Sequence, residues 1–136
     1  MRNQTILSCI ALLAAGCTEN RPVEPSASEQ AQLSAALAGY EQSGPPLSCV
    51  NMRDLRGNRS FGEGAIVFDG PTRATLYVNR PSGGCPDLGF GRALVTRTPG
   101  TRLCQGDIAT VVDLSSRTSF GACGLGEFTP YRRVRG

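Results

Sequence analysis

Any chemistry in this chain has to be done without histidine and without tryptophan, and all fourteen of its basic side chains are arginine. Lacking histidine removes the commonest general base, the commonest metal ligand and the ordinary neutral-pH switch. No serine sits in Gly-x-Ser-x-Gly and none has an imidazole to activate it, so serine hydrolysis falls away. From residue 63 onward the acid–base groups are Glu63, Asp69, Asp87, Asp107, Asp113 and Glu127. A glycoside-cleaving pair needs two carboxyls across one cleft at roughly 5–9 Å, and no spacing here puts two there. Asp69 before Gly70 and Asp107 after Gly106 read as turn residues that bond their own backbone. Gly89-Phe90-Gly91 and Gly124-Leu125-Gly126 lack the third glycine and helix of a dinucleotide fingerprint, so they read as tight turns or bulges and imply no cofactor.

The six cysteines, at positions 9, 17, 49, 85, 104 and 123, say more. None is spaced Cys-x-x-Cys and no histidine can complete a zinc site, which argues against metal binding and thioredoxin-like redox chemistry. The first two lie in a segment built like a secretory signal, with Arg2, an apolar run over 6–15 and small residues at its end. That run is far short of the roughly 20 residues that cross a bilayer. Leu12-Leu13-Ala14-Ala15-Gly16-Cys17 resembles the lipobox of bacterial lipoproteins, with Ala14 where the motif more often has leucine. The resemblance implies cleavage before Cys17 and acylation of its thiol; the same small residues would also suit the ordinary signal peptidase of a soluble exported protein. Parity favours acylation. Losing Cys9 with the signal leaves five cysteines, and acylating Cys17 leaves four that can pair completely in an oxidising compartment. Of three connectivities, Cys49–Cys123 and Cys85–Cys104 are favoured, the first joining the outermost strands and the second clamping the hairpin region between its two cysteines. Each bridge is worth about 2–4 kcal/mol. Thr18 in place of aspartate implies, by the same resemblance, the periplasmic face of the outer membrane.

Charge divides the chain. Arg21 against Glu19, Glu24, Glu29 and Glu41 makes residues 18–48 acidic, at −3, whereas twelve arginines against seven acids make the part from Cys49 onward +5. Guanidinium forks suit bidentate contact with phosphate or carboxylate. Export excludes nucleic acid as a partner and leaves the bilayer, an envelope protein or an anionic envelope component. Residues 128–135 interleave aromatics with Arg132, Arg133 and Arg135, which makes them either an anion-contacting element or, by the blander reading we prefer, a solvated tail.

These groups are to be positioned by a small all-β domain. Residues 1–16 form the signal, 17–46 the acylated terminus, tether and one short helix, and 47–136 the disulfide-stapled domain. Ser26-Ala27-Ser28-Glu29 has capping-box spacing, and Leu33, Leu37 and Tyr40 make one apolar helical stripe, weakened at its end by Gly39 and closed by Gly44-Pro45-Pro46. Beyond it the period changes to two, predicting about six strands over 48–52, 65–69, 74–79, 90–96, 108–113 and 118–123, as a small antiparallel barrel or sandwich.

Several blocks resemble an uncharacterised group of small proteobacterial exported proteins: Ser48-Cys49-Val50, Leu55-Arg56-Gly57-Asn58-Arg59, Leu76-Tyr77-Val78-Asn79-Arg80, Gly84-Cys85-Pro86-Asp87-Leu88, Arg102-Leu103-Cys104-Gln105-Gly106-Asp107 and Cys123-Gly124-Leu125-Gly126-Glu127-Phe128. The likeness runs from about residue 30 to the end. It implies export and four matching cysteines, and no activity or catalytic residues. The expectation is a non-enzymatic envelope lipoprotein that binds a partner or supports the envelope. Two other readings stay open: an inhibitor of a periplasmic enzyme such as lysozyme, presenting a protruding 80–87 loop, and a carboxylate hydrolase. If Cys17 carries the anchor, Cys17→Ser should move the protein from the membrane pellet to the soluble fraction, and intact mass should show the native chain starting at an acylated Cys17.

Overall fold

The computed structural model describes residues 23–135; the expected signal segment and Cys17 lie outside the described residues. The fold is organised by residues 65–68, Ala-Ile-Val-Phe, four consecutive buried side chains. A strand buried on one face would alternate, so a continuous apolar run requires cover on both. In chain order the elements are α1 (Ala27–Ala36), β1 (Tyr40–Gln42), β2 (Cys49–Asn51), β3 (Gly57–Phe61), β4 (Ala65–Asp69), β5 (Thr75–Asn79), β6 (Ala93–Thr96), β7 (Arg102–Cys104), β8 (Ile108–Asp113), β9 (Thr118–Gly124) and β10 (Phe128–Arg133), with a 3-10 turn at Met52–Asp54.

The strands make three antiparallel sheets, ordered β1-β10-β5-β4-β3, β2-β7 and β6-β8-β9. None of them closes among the described residues, so the barrel alternative gives way to layers. On one face of the large sheet Ala65, Val67, Leu76, Val78 and Phe61 pack under Leu33 of α1, which is 1% exposed. On the other, Ile66, Phe68 and Phe128 meet Val50 and Leu103 of the two-stranded sheet and Ala109, Val111 and Cys123 of the three-stranded one.

The helix begins at the expected capping box, with Ser26 N–H donating to Glu29 Oε2 at 2.8 Å and Glu29 N–H to Ser26 Oγ at 3.4 Å. It ends earlier than the proline pair would dictate. Gly39 adopts φ +78°, the left-handed conformation that stops a helix, and Tyr40 opens β1 where the helical stripe would have continued. The helix and β1, grouped by sequence with the tether, therefore belong to the folded unit.

All six expected strands form, joined by β1, β3, β7 and β10. The additional ones hide for physical reasons: β1 and β7 are three residues long, and β3 reads Gly-Asn-Arg-Ser-Phe with only Phe61 buried. The solvated-tail reading of 128–135 is overturned, because β10 lies inside the sheet between β1 and β5 and Phe128 is fully buried. Pro130, which has no N–H to give to a ladder, sits beyond the last β1–β10 pair, Gln42–Tyr131.

The disulfides are Cys49–Cys104 and Cys85–Cys123, in place of the expected Cys49–Cys123 and Cys85–Cys104. The unrecognised β7 is the reason for the first, since it is the partner of β2 and sets Cys49 opposite Cys104. A bridge between Ser82 and Gly124 explains the second, drawing the 80–88 loop onto the end of β9. Asn79, fully buried, holds the next turn by donating Nδ2–H to Gly126 O at 2.8 Å and accepting from Gly126 N–H at 2.9 Å. Gly126 tolerates no side chain there, because a Cβ would run into the Arg80 carbonyl. Non-reducing peptide mapping of the purified, unreduced protein should recover 49–104 and 85–123 linked peptides and no 49–123 or 85–104 species.

Candidate functional site

At one end of the large sheet the β4–β5 connection makes a tight reversal. Gly70 N–H donates to Thr75 O at 2.9 Å, and a Cβ at Gly70 would meet that same carbonyl at 2.7 Å, so glycine is required. Pro71 and Thr72 follow, Thr75 N–H donating to Thr72 O at 3.1 Å, and Arg73 projects from the turn. Tyr40 reaches across from β1 and donates its hydroxyl to Arg73 O at 2.6 Å. Its register partner on β10 is Arg133, whose Nη2 donates to the same hydroxyl at 3.1 Å and whose guanidinium lies 5.1 Å from the ring centroid. On the opposite side, Arg56 N–H donates to Asp69 O at 2.9 Å, and Arg59 Nη2 reaches Asp69 Oδ1 at 3.0 Å.

Four arginines (Arg56, Arg59, Arg73 and Arg133) thus line one open cleft of about 600 Å³ with Tyr40, Asp69 and Leu76. Among the described residues Asp69 is the only carboxylate lining it, and it is engaged by Arg59. The cleft therefore carries a surplus of permanently charged donors, arranged on two strands, a loop and a turn, which suits a multiply charged oxyanion bound through several forks. Its openness to solvent means that salt screens it.

Of the residues singled out by sequence, Arg133 is in this cleft; Arg132 and Arg135 are exposed and outside its lining. Arg56, Arg59, Arg73 and Tyr40 were not recognised as site residues. The only sequence signal for them is the turn 70–73 between two strands, which puts whatever precedes β3 and follows β4 at one sheet end.

The carboxylates do other work. Asp107 Oδ2 accepts from Cys104 N–H at 2.8 Å, and Asp87 pairs with Arg92 at 3.3 Å. The Ser115 hydroxyl, with the Ser116 and Ser115 backbone N–H groups, holds Asp113 below the usual carboxylate range. Glu24, Glu29 and Glu63 do converge on a second cleft, of about 890 Å³. There Glu63 Oε1 is fixed by Asp87 N–H at 2.9 Å, and the Ser26 backbone and hydroxyl hold Glu29 below its ordinary value. General-acid work calls for a carboxyl shifted the other way. The 80–87 loop does not protrude as an inhibitor loop would: Pro81, Gly84 and Cys85 are buried and Cys85 is bonded to Cys123.

No family model, curated protein or solved structure matches the chain. A double-mutant cycle of Tyr40→Leu and Arg133→Gln should give a coupling of about 0.5–1 kcal/mol in denaturant unfolding, the value of an exposed cation–aromatic contact.

Proposed function

We propose that this chain is an exported, lipid-anchored binding protein of the bacterial envelope, non-catalytic, whose arginine cleft holds an anionic group of an envelope component. The observation that carries the reading is four arginines on one cleft at the sheet end remote from where the chain arrives. The turn 62–64 at the near end touches the start of the described chain: a Cβ at Gly64 would meet the Val23 carbonyl at 2.5 Å, and one at Gly62 would strike Glu29. Asp69 and the 70–73 turn close the far end of β4, five residues and about 17 Å away. Chain and helix therefore enter at one pole, and the cleft opens at the other.

An acylated Cys17 would hold the first pole toward the membrane, at the periplasmic face of the outer membrane in our reading, and leave the cleft facing the compartment. This geometry speaks against the C-terminal arginines lying on lipid headgroups, since Arg133 belongs to the far pole. The four matched cysteines, both pairs bridged, suit an oxidising compartment.

Titration calorimetry with inorganic phosphate and with citrate tests the cleft. Binding should be saturable and weaken with added salt, and Arg56→Gln or Arg73→Gln should each reduce affinity roughly tenfold, the loss of one charge-assisted contact. Arg132→Gln and Arg135→Gln should leave it unchanged. No saturable binding of either anion, or equal affinity in the Arg56→Gln/Arg73→Gln double variant, would remove the proposal.

A further inference from the structure

The pole opposite the arginine cleft carries a surface of another kind. Phe90 is 92% exposed, yet its backbone sits at φ +53° between Gly89 at +143° and Gly91 at +74°. A bulky aromatic seldom occupies the left-handed region, and strain of this sort persists where surrounding structure enforces it, often at functional sites. Here the enforcement is visible. Arg92 Nη1 donates to Asp87 O at 3.0 Å, and its guanidinium lies 3.6 Å from the Phe120 ring centroid and 5.4 Å from that of Phe90.

A second apolar tip stands at the same end of the three-stranded sheet. The pairs Ala93–Val112 and Asp113–Thr118 put the start of β6 beside the β8–β9 turn. That turn carries Leu114, 71% exposed, with Arg117 at φ +57° and Phe120 a few residues on. The chain arrives beside the first tip. Val23 packs where a Cβ on Gly84 would meet its side chain, and it lines one cleft with Phe90. Only five residues separate Val23 from Cys17, so six extended residue lengths, about 20 Å, limit its distance from an acylated thiol.

Resting on the lipid-anchor reading above, we propose that Phe90 and Leu114 insert into the bilayer that holds Cys17, making the domain's near pole a second membrane contact that orients the arginine cleft away from the lipid. Apolar tips on stiff loops with arginines beside them suit the boundary between headgroups and acyl chains. The arginines flanking the tips, Arg92 and Arg117, are offset by Glu24, Glu29 and Glu63 in the cleft behind Phe90, so a zwitterionic surface suffices.

The chain has no tryptophan, so Phe90→Trp and Leu114→Trp each introduce a single emitter, and Pro71→Trp places one at the far pole. Envelope-purified protein carrying each change is reconstituted in phosphatidylcholine vesicles with and without acyl-brominated lipid. Phe90→Trp and Leu114→Trp should show blue-shifted emission that brominated lipid quenches, while Pro71→Trp should keep solvent-like, unquenched emission. Solvent-like emission from both near-pole variants on vesicle-bound protein overturns the proposal and leaves the anchor standing. Intact mass of the same sample reads the anchor separately: an unacylated Cys17 overturns both.

Discussion

The constraint on which the rest of this structure depends is the burial of β4 on both faces. Four adjacent apolar side chains cannot be covered by one layer, and the chain meets that demand with α1 on one side and two small sheets on the other. At about 25 cal/mol for each Å² of apolar surface removed from water, this two-sided burial is the main favourable contribution available to a domain short of aromatic residues. The disulfides serve the same layering. Each ties elements of the outer sheets that have little apolar surface of their own, linking β2 to β7 and the 80–88 loop to β9.

Because β4 runs from the chain's arrival to the 70–73 turn, the same constraint separates two poles. The near pole combines the first described residues, the strained Phe90 loop and the β8–β9 turn. The far pole gathers arginines from β3, its preceding loop, the β4–β5 turn and β10 around a tyrosine from β1. No single local segment encodes that gathering. It follows from β10 entering the sheet next to β5, which carries Arg133 to Arg73, and from the β3–β4 hairpin, which carries Arg59 to Asp69.

What the sequence made legible, and what it hid, follows the same physics. The helix start was readable because the Ser26–Glu29 box is a local reciprocal bond pair, and the central strands because β-branched and aromatic runs bounded by turn residues have few other uses. The helix end was misjudged because Gly39, rather than the more conspicuous Gly44-Pro45-Pro46, takes the left-handed conformation. The strands β1, β7 and β10 owe their existence to partners far away in sequence, which no periodicity reports, and β3, though it pairs with the adjacent β4, is an edge strand with only Phe61 buried and so shows no apolar alternation. The disulfide pairing failed with them, since a cysteine's partner is set by strand neighbours. Of the cleft, Arg133 alone was suspected, for a basic run whose other arginines face elsewhere.

The claim that the two poles have separate roles is tested most directly by a backbone amide NMR map of the disulfide-intact protein titrated with inorganic phosphate. Saturable shifts should be confined to Tyr40, Arg56, Arg59, the 70–75 turn and Arg133, with the amides of Val23, Leu88 and Phe90 unmoved. Shifts concentrated at the Phe90 pole, or scattered over arginines on every face, would contradict that claim.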